Sequence, residues 1–564
     1  MPVVPRLSIA STLPAEILAC IFQHMQAPLC DVQTPSSSAL ALRAVTHVCR
    51  HWRFAALAFS SLWVDVSTRL DSQRWIAETI RRSGAVPLHV DICWDPRAAA
   101  DPVPAYVNLL LSEAARAERL SCFGPNLASR LRYIPQQPLK NLTTLALGTL
   151  CDDPLVPSDF EALLERSVPR LRELVTMGCQ LPWASPLWAN VSHTLLSLSI
   201  ANIAQPLRPS PSELQNFLAK LCSLEHLALD HVLPIYPPHP PDFASSPTLL
   251  PRLRSLVVAE DCYENVAAFV ASLARPAPTC TLALRFAPHL PSRSTLVMAI
   301  PALATAARRF LFADSSQPDR DPTVYDMDLR ELPGGTCLAF RLLRITPDAP
   351  PLPLLSIDLA AADPASLLLA APTWSWADAG AAAAALPFAL AQCLRLRTFA
   401  VECTAFARAR AWAAAFRCAC VPPSRVRARG PAARGLVAAL AGADDEREHE
   451  PHDTAHALLE LMHQDCTRRA GPLFGSLTHA ALCAVDLASA LPDSRLLAEA
   501  LCTALERRAA PLTRLALVGC ATSADQVAHL AARLESTGCV LEWDGECCGV
   551  GGRVMPRDEE RAQI

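Results

Sequence analysis

The feature that most constrains this chain is a short phrase, Leu-x-x-Leu-x-Leu, that keeps returning. It stands at Leu142-Leu145-Leu147, Leu195-Leu198-Ile200, Leu224-Leu227-Leu229 and Leu253-Leu256-Val258, with a degenerate copy from Leu171. The lead leucines are 29, 24, 29 and 29 residues apart. Further copies begin at Leu354 (with Ile357 and Leu359), Leu396 (with Phe399 and Val401), Leu482 (with Val485 and Leu487) and Leu512 (with Leu515 and Leu517). Their spacing is irregular, with one gap of about 86 residues. Alternating apolar residues predict a short strand with one buried face, and the intervening stretches read as helices that cover it. No such unit buries its own face, so the units have to stack on one another.

This pattern resembles the leucine-rich repeat over roughly Leu139 to Trp543. In that family the ninth position favours Asn or Cys buried at the strand end. Cys179 and Cys520 stand there, and Cys151, Cys262 and Cys403 fall within one residue of it. The resemblance implies a concave strand face that takes a protein target, with Thr143, Thr144, Glu225, His226, Arg254 and Ser255 as candidate contacts. From Pro422 to Thr454 the composition turns to proline, glycine and opposite charge blocks, which predicts a flexible charged linker. Its basic run Arg425, Arg427, Arg429 and Arg434 is expected to be solvated and paired with the acidic block that follows.

Composition narrows the function. With 564 residues, 51% hydrophobic and 18% charged, the chain is neither disordered nor a polyelectrolyte, and it is long enough for several structural units. A formal net charge of −4 excludes a globally basic nucleic-acid binder. Its 50 prolines against 18 glycines fit many short elements divided by proline-bearing loops. No stretch is apolar enough to read as a membrane span. Glu16 interrupts what would be a signal peptide's apolar run, so a cytoplasmic or nuclear protein with reduced thiols is expected. The 22 cysteines form no CxxC pair, and the sequons at Asn141 and Asn190 then read as chance matches.

The opening residues carry a second pattern. In LPAEILACIFQHM, Leu13, Ile17 and Ile21 recur every four residues, and Leu18, Phe22 and Met25 form an adjacent stripe. A polar loop, Ala27 to Ala39, precedes a predicted second helix on which Leu42, Val45, Cys49, Trp52 and Ala56 share one face. This is more apolar surface than so small a subdomain can bury, which points to a partner. The ordered blocks Leu13-Pro14-x-Glu16-Ile17-Leu18-x-x-Ile21-Phe22, Val45-x-x-Val48-Cys49-x-x-Trp52-Arg53 and Ser61-Leu62-Trp63 resemble an F-box. More closely, they resemble the F-box-like variant abundant in mushroom-forming fungi. The resemblance implies a three-helix module that docks on the Skp-family adaptor of a cullin ubiquitin ligase. Carried over by position, the adaptor-facing residues are Leu13, Pro14, Ile17, Leu18, Ile21, Val45, Cys49 and Trp52, with Leu62 and Trp63 closing the third helix on the first.

A search for catalytic chemistry leaves nothing standing. There is no Walker A, HExxH or GxSxG motif, and Gly549, Gly551 and Gly552 lack the setting of a dinucleotide site. His449, His452, His456 and His463, with Cys466, have helical spacing, but Pro451 breaks the first turn and a solvated helix start is expected instead of a metal site. Cys418 with Cys420, and Cys547 with Cys548, lack the second half of a zinc site. Trp374 and Trp376 are expected to pack within the array. No cofactor and no metal are expected.

The expected fold class is α+β multi-domain: a small three-helix F-box module followed by an irregular α/β leucine-rich-repeat solenoid. The expected division is a tail at 1–12, the F-box-like module at 13–66 and a connecting strand and helix region with first degenerate repeats at 67–138. The repeat array at 139–421, the charged linker at 422–454, further repeat-like units at 455–545 and a disordered tail at 546–564 complete it. The function implied is that of a non-catalytic substrate-recognition adaptor of a Skp–cullin–F-box ubiquitin ligase, with a protein target and neither nucleic acid nor membrane as partner. The alternative is a leucine-rich interaction scaffold without ligase engagement.

Overall fold

The computed structural model describes residues 13–25, 42–68, 72–94, 105–134, 136–149, 157–165, 168–235, 248–274, 279–286, 324–331, 337–346, 349–360, 396–407, 423–442, 474–491, 495–508 and 511–544, with parts of 303–310 and 411–416. Outside them lie the 27–39 loop, Cys151, Trp374, Trp376, Cys418, Cys420, the histidines from His449 to His463 with Cys466, and the tail with Cys547 and Cys548. The chain divides into two compact units: Met1–Ile235 with Thr248–Leu253, and Tyr236–Pro247 with Arg254–Ile564.

The first unit opens with helix α1 (Ala15–His24), helix α2 (Arg50–Ala58) and a 3-10 turn (Ser60–Trp63). Strand β1 (Asp65–Ser67) follows the turn directly. Helix α3 (Gln73–Ser83) leads to β2 (Leu88–Cys93), α4 (Ala105–Ser112) to β3 (Ala117–Phe123) and α5 (Leu127–Leu131) to β4 (Thr144–Gly148). Helix α6 (Pro157–Leu164) leads to β5 (Glu173–Met177), which is followed by β6 (Ser197–Ala201), α7 (Pro211–Lys220) and β7 (His226–Asp230). All seven strands are parallel and pair in sequence order. Leu145, Leu147, Leu174, Leu198, Ile200, Leu227 and Leu229 are buried, while Val175, Ser199 and Ala228 between them stay partly exposed; on β4 the intervening Ala146 is buried as well. That alternation gives β5, β6 and β7 one covered face and one wet face. Between the strands, Phe160, Trp183, Trp188 and Phe217 interlock, with ring centroids 4.8–5.6 Å apart. The Trp188 ring N–H donates to the Pro182 carbonyl at 2.8 Å.

In the second unit β8 (Ser255–Glu260) and β9 (Thr281–Phe286) are parallel, with helix α8 (Tyr263–Ser272) between them. A three-strand antiparallel meander follows: β10 (Val324–Glu331), β11 (Cys337–Thr346) and β12 (Ala349–Ala360). Strand β12 pairs with β9, and β10 pairs with β13 (Leu396–Glu402), so the meander enters the ladder back to front. Parallel pairing resumes through β14 (Arg425–Arg429), β15 (His479–Cys483), β16 (Arg514–Val518) and β17 (Val540–Trp543). Helices α9 (Pro431–Leu440), α10 (Leu497–Glu506) and α11 (Ala524–Glu535) alternate with these strands.

Three sequence readings need correction here. Residues 423–442, expected as part of a flexible linker, form β14 and α9. Pro423, Val426 and Ala428 take the buried positions that leucines hold elsewhere, and that substitution hid the unit. The copy placed at Leu482, Val485 and Leu487 is out of frame: the buried strand positions are Leu477, Ala480 and Leu482, so an alanine shifted the apparent motif by five residues. The copy at Leu354, Ile357 and Leu359 lies on the last strand of the meander, which runs antiparallel to its neighbour β11.

A recurrent strand ending explains the buried cysteines. Gly178, Asn202, His231, Ala484 and Gly519 all have φ between 50° and 66°, each one residue past its strand. The left-handed turn directs the next residue inward, so that Cys179, Ile203, Val232, Val485 and Cys520 are buried. Cys179 Sγ lies 3.7 Å from the Leu147 carbonyl and 3.4 Å from that of Met177. Cys520 Sγ lies 3.2 Å from the Leu482 carbonyl and 3.7 Å from that of Val518. The two thiols thus meet the same pair of groups, one on the preceding strand and one two residues back. Burial pushes the Cys179 thiol up to about 12 and raises Cys520 too, so both stay protonated donors.

Candidate functional site

The N-terminal module is apolar on more sides than it can bury. Leu18, Ala19 and Phe22 on α1, Leu42 and Val45, Ala55 and Ala56 on α2, and Leu62 and Trp63 form one core. The Ile17–Ile21 stripe of α1 remains outside, Ile17 48% and Ile21 40% exposed, and so does Met25 just past the helix end, at 46%. Val48, Phe54 and Leu57 are exposed as well, Phe54 to 68%. Half of the exposed large hydrophobic residues among the described residues therefore fall within residues 13–63. Soluble surfaces tolerate isolated apolar side chains; half of the exposed set on one small module is a concentration of the kind that interaction surfaces carry.

The helix expected to run unbroken through Cys49 is interrupted. Residues 42–45 make a single turn, and Cys49 is extended (φ −157°, ψ 172°) and caps α2, its Sγ accepting the Trp52 N–H at 3.4 Å. Arg53 Nε donates to the Thr46 carbonyl at 2.7 Å across the break, and the His51 ring bonds the Leu13 carbonyl, also at 2.7 Å. The three-and-four spacing survives a one-turn interruption, so periodicity alone cannot detect it.

These contacts sort the adaptor-facing candidates. Pro14, Ile17, Ile21 and Cys49 are exposed, and Leu13 and Trp52 are half-buried, Trp52 packing on Phe22 with centroids 5.2 Å apart. Leu18 and Val45, at 0% and 3% exposure, are core residues that support the face from beneath and cannot touch a partner. Phe54, Leu57, Val48 and Met25 complete the exposed set and were not among the adaptor-facing candidates. The signal for Phe54 and Leu57 was their i, i+3 spacing away from the Trp52 and Ala56 face. Leu62 and Trp63 are buried, and the Trp63 ring N–H donates to the Ala56 carbonyl at 2.8 Å.

The module continues into the strand array without a spacer. Trp75 on α3 packs on Trp63 with centroids 5.6 Å apart; the Arg82 guanidinium sits 4.2 Å from the Trp63 ring and that of Arg43 4.5 Å from the Trp75 ring. Glu78 clamps Arg81 and Arg82, whose guanidiniums hold its carboxyl down at about 2.

The candidate target contacts lie at strand starts. In the first unit Thr143 precedes β4, its hydroxyl donating to the Glu118 carbonyl at 3.1 Å, and the Thr144 hydroxyl donates to Glu173 at 3.2 Å. His226 is exposed and stands in register with Ser197, Glu173 and Thr144 across neighbouring strands, with Glu225 just before it. In the second unit exposed Arg254 precedes β8, its carbonyl accepting the Thr281 N–H at 2.8 Å, and Ser255 opens that strand.

A family model described as F-box-like matches residues 10–69. The chain therefore carries an F-box-like domain where the exposed apolar face stands. F-box proteins are typically non-catalytic adaptors in ubiquitin ligation, and the domain in general implies binding to a Skp-type adaptor. No curated protein matches the chain. Among the described residues, no helix is long and apolar enough to cross a membrane.

Proposed function

We propose that this chain is a substrate-recognition adaptor of a Skp–cullin–F-box ubiquitin ligase, of the F-box-like variant found in mushroom-forming fungi and at work in the cytoplasm or nucleus. Ile17, Ile21, Met25, Val48, Phe54 and Leu57, with Leu13, Pro14, Cys49 and Trp52 at their margins, dock on the Skp-family adaptor and through it reach a cullin. The observation that carries this reading is the exposed apolar set itself, on a module whose core is already filled by Leu18, Phe22, Leu62 and Trp63. The strand array, read as irregular leucine-rich repeats, takes a protein target, with Thr143, Thr144, Glu225, His226, Arg254 and Ser255 as candidate contacts. The matching strand-end environments of Cys179 and Cys520 support the repeat reading. The chain contributes proximity, not chemistry: it raises the effective concentration of a target lysine near the charged conjugating enzyme.

The test is binding of the full chain to a purified Skp-family adaptor by calorimetry. A micromolar or tighter dissociation constant is expected. Absence of binding at 100-fold higher concentrations would sink the ligase reading and leave an interaction scaffold.

A further inference from the structure

Strand β14 reads Arg-Val-Arg-Ala-Arg, and its alternation buries Val426 and Ala428 while Arg425, Arg427 and Arg429 are exposed on the opposite face. The strand is not an edge: β13 pairs on one side and β15 on the other. Three guanidiniums are thus fixed on one surface, about 7 Å apart along the strand. Arginine cannot relieve such crowding by losing its proton.

The neighbours of these arginines differ along the strand. Arg429 is paired with Glu402 on β13 at 3.3 Å, and Arg514 on β16 with Glu542 on β17 at 2.5 Å. Arg425 and Arg427 have no carboxylate partner among the described residues. Arg427 stands in register with Ala400 on one side and Ala481 and Ala516 on the other, and Arg425 lies between Thr398 and His479. Alanines flank Arg427 on both sides, so nothing bulky shields it, while Arg425 has Thr398 on one side and the His479 imidazole on the other. Desolvation first, then Arg425 and Arg514, hold the neighbouring His479 imidazole below the usual value, against the opposing pull of Glu542.

We propose that the face formed by Arg425 and Arg427, flanked by Ala400 and Ala481, binds an anionic segment of a protein target, its charge supplied by aspartate and glutamate or by phosphorylated side chains. This deepens the adaptor reading and rests on it for the identity of the bound molecule as a target. Charge complementarity selects the partner. Two uncompensated guanidiniums about 7 Å apart match alternate residues of an extended peptide, each able to form a forked, charge-assisted pair. A nucleic acid requires a longer basic track, and the neighbouring Arg429 and Arg514 are already neutralised by Glu402 and Glu542.

The experiment measures fluorescence anisotropy of three labelled twelve-residue peptides against the full chain. One alternates Asp or Glu with Ser, one carries phosphoserine at alternate positions, and one is neutral. Micromolar binding of at least one anionic peptide is expected, weakening steeply between 50 and 200 mM salt, with none for the neutral peptide. The tighter anionic peptide identifies the source of the charge. The R425Q/R427Q variant should lose at least tenfold, while the R74Q/R507Q variant, which removes two exposed arginines elsewhere, should keep wild-type affinity. No binding to wild type, equal loss in both variants, undiminished binding by R425Q/R427Q, or tighter binding of a single-stranded oligonucleotide would each overturn the proposal. So would a wild-type chain that stays silent until Asp444, Asp445 and Glu446 are neutralised, since the occupant would then be the chain itself. Adaptor binding is measured in parallel. Its failure with peptide binding intact counts against the ligase reading alone, and the converse counts against this surface alone.

Discussion

The exposed face of the F-box-like domain allows stability and docking to be separated by mutation. Phe54 and Ile21 are 68% and 40% exposed in the free chain, whereas Leu18, one position along α1 from Ile17, is 0% exposed. Complete burial of a large apolar side chain is worth about 1.5–3 kcal/mol, so covering the exposed parts of Phe54 and Ile21 contributes roughly 3 kcal/mol to docking. That corresponds to a loss of about a hundredfold in adaptor affinity for the Phe54→Ala, Ile21→Ala double variant. Its melting temperature should stay near wild type, because neither side chain fills the core. Leu18→Ala should behave in the opposite way, opening a core cavity at a cost of about 2–5 kcal/mol and weakening adaptor binding only through unfolding. Calorimetric titration with a Skp-family adaptor, paired with thermal denaturation, reads both quantities. Unchanged affinity in the double variant, with the protein folded, would refute the assignment of this face.

Gly178 takes φ +66°, and a Cβ there would lie 2.8 Å from the Thr149 carbonyl oxygen. Gly178→Ala should therefore destabilise the first unit by about 1–3 kcal/mol, and a change under about 0.5 kcal/mol in denaturant titration would contradict the strand-end turn. Cys20, Cys49 and Cys222 are exposed, whereas Cys179 is buried with its thiol pushed up to about 12. Iodoacetamide at pH 8 followed by mass spectrometry should modify the first three while leaving Cys179 intact, and early loss of Cys179 would count against its buried setting. His479 is held below its ordinary value of 6.5 by desolvation, Arg425 and Arg514. Its contribution to stability is present above that ordinary value and is lost as pH falls toward its folded value, because the unfolded chain takes up the proton first. His479→Gln should flatten the stability profile below pH 6.5; an unaltered slope would show that the imidazole is not desolvated.

The sequence carried the F-box-like domain in its ordered Leu-Pro, Val-Cys and Leu-Trp blocks, and it carried the strand frames wherever leucine filled them. It could not say which stripe of α1 turns inward. Ile17 and Ile21 are as apolar as Leu18 and Phe22, and only packing against Leu42, Val45 and Trp63 decides between them. Frames were lost where small residues fill the core: Ala480 shifted one unit, and Pro423, Val426 and Ala428 concealed another that strand alternation in Arg-Val-Arg-Ala-Arg would have revealed. The meander was hidden for a different reason. Buried alternation looks the same whether a strand runs parallel or antiparallel to its neighbour, so no residue pattern signals that β12 pairs with β9.

The stack of Trp63, Trp75, Arg43 and Arg82 settles where the chain can be cut. A fragment ending near residue 70 keeps Trp63 but discards the helix that covers it, so an isolated domain has to extend through Ser83 to remain soluble. In a ligase the same stack would work as a bracket, not a tether. A target held on the first strands could not swing around the docked adaptor, and the lysines open to modification would be those within a fixed arc.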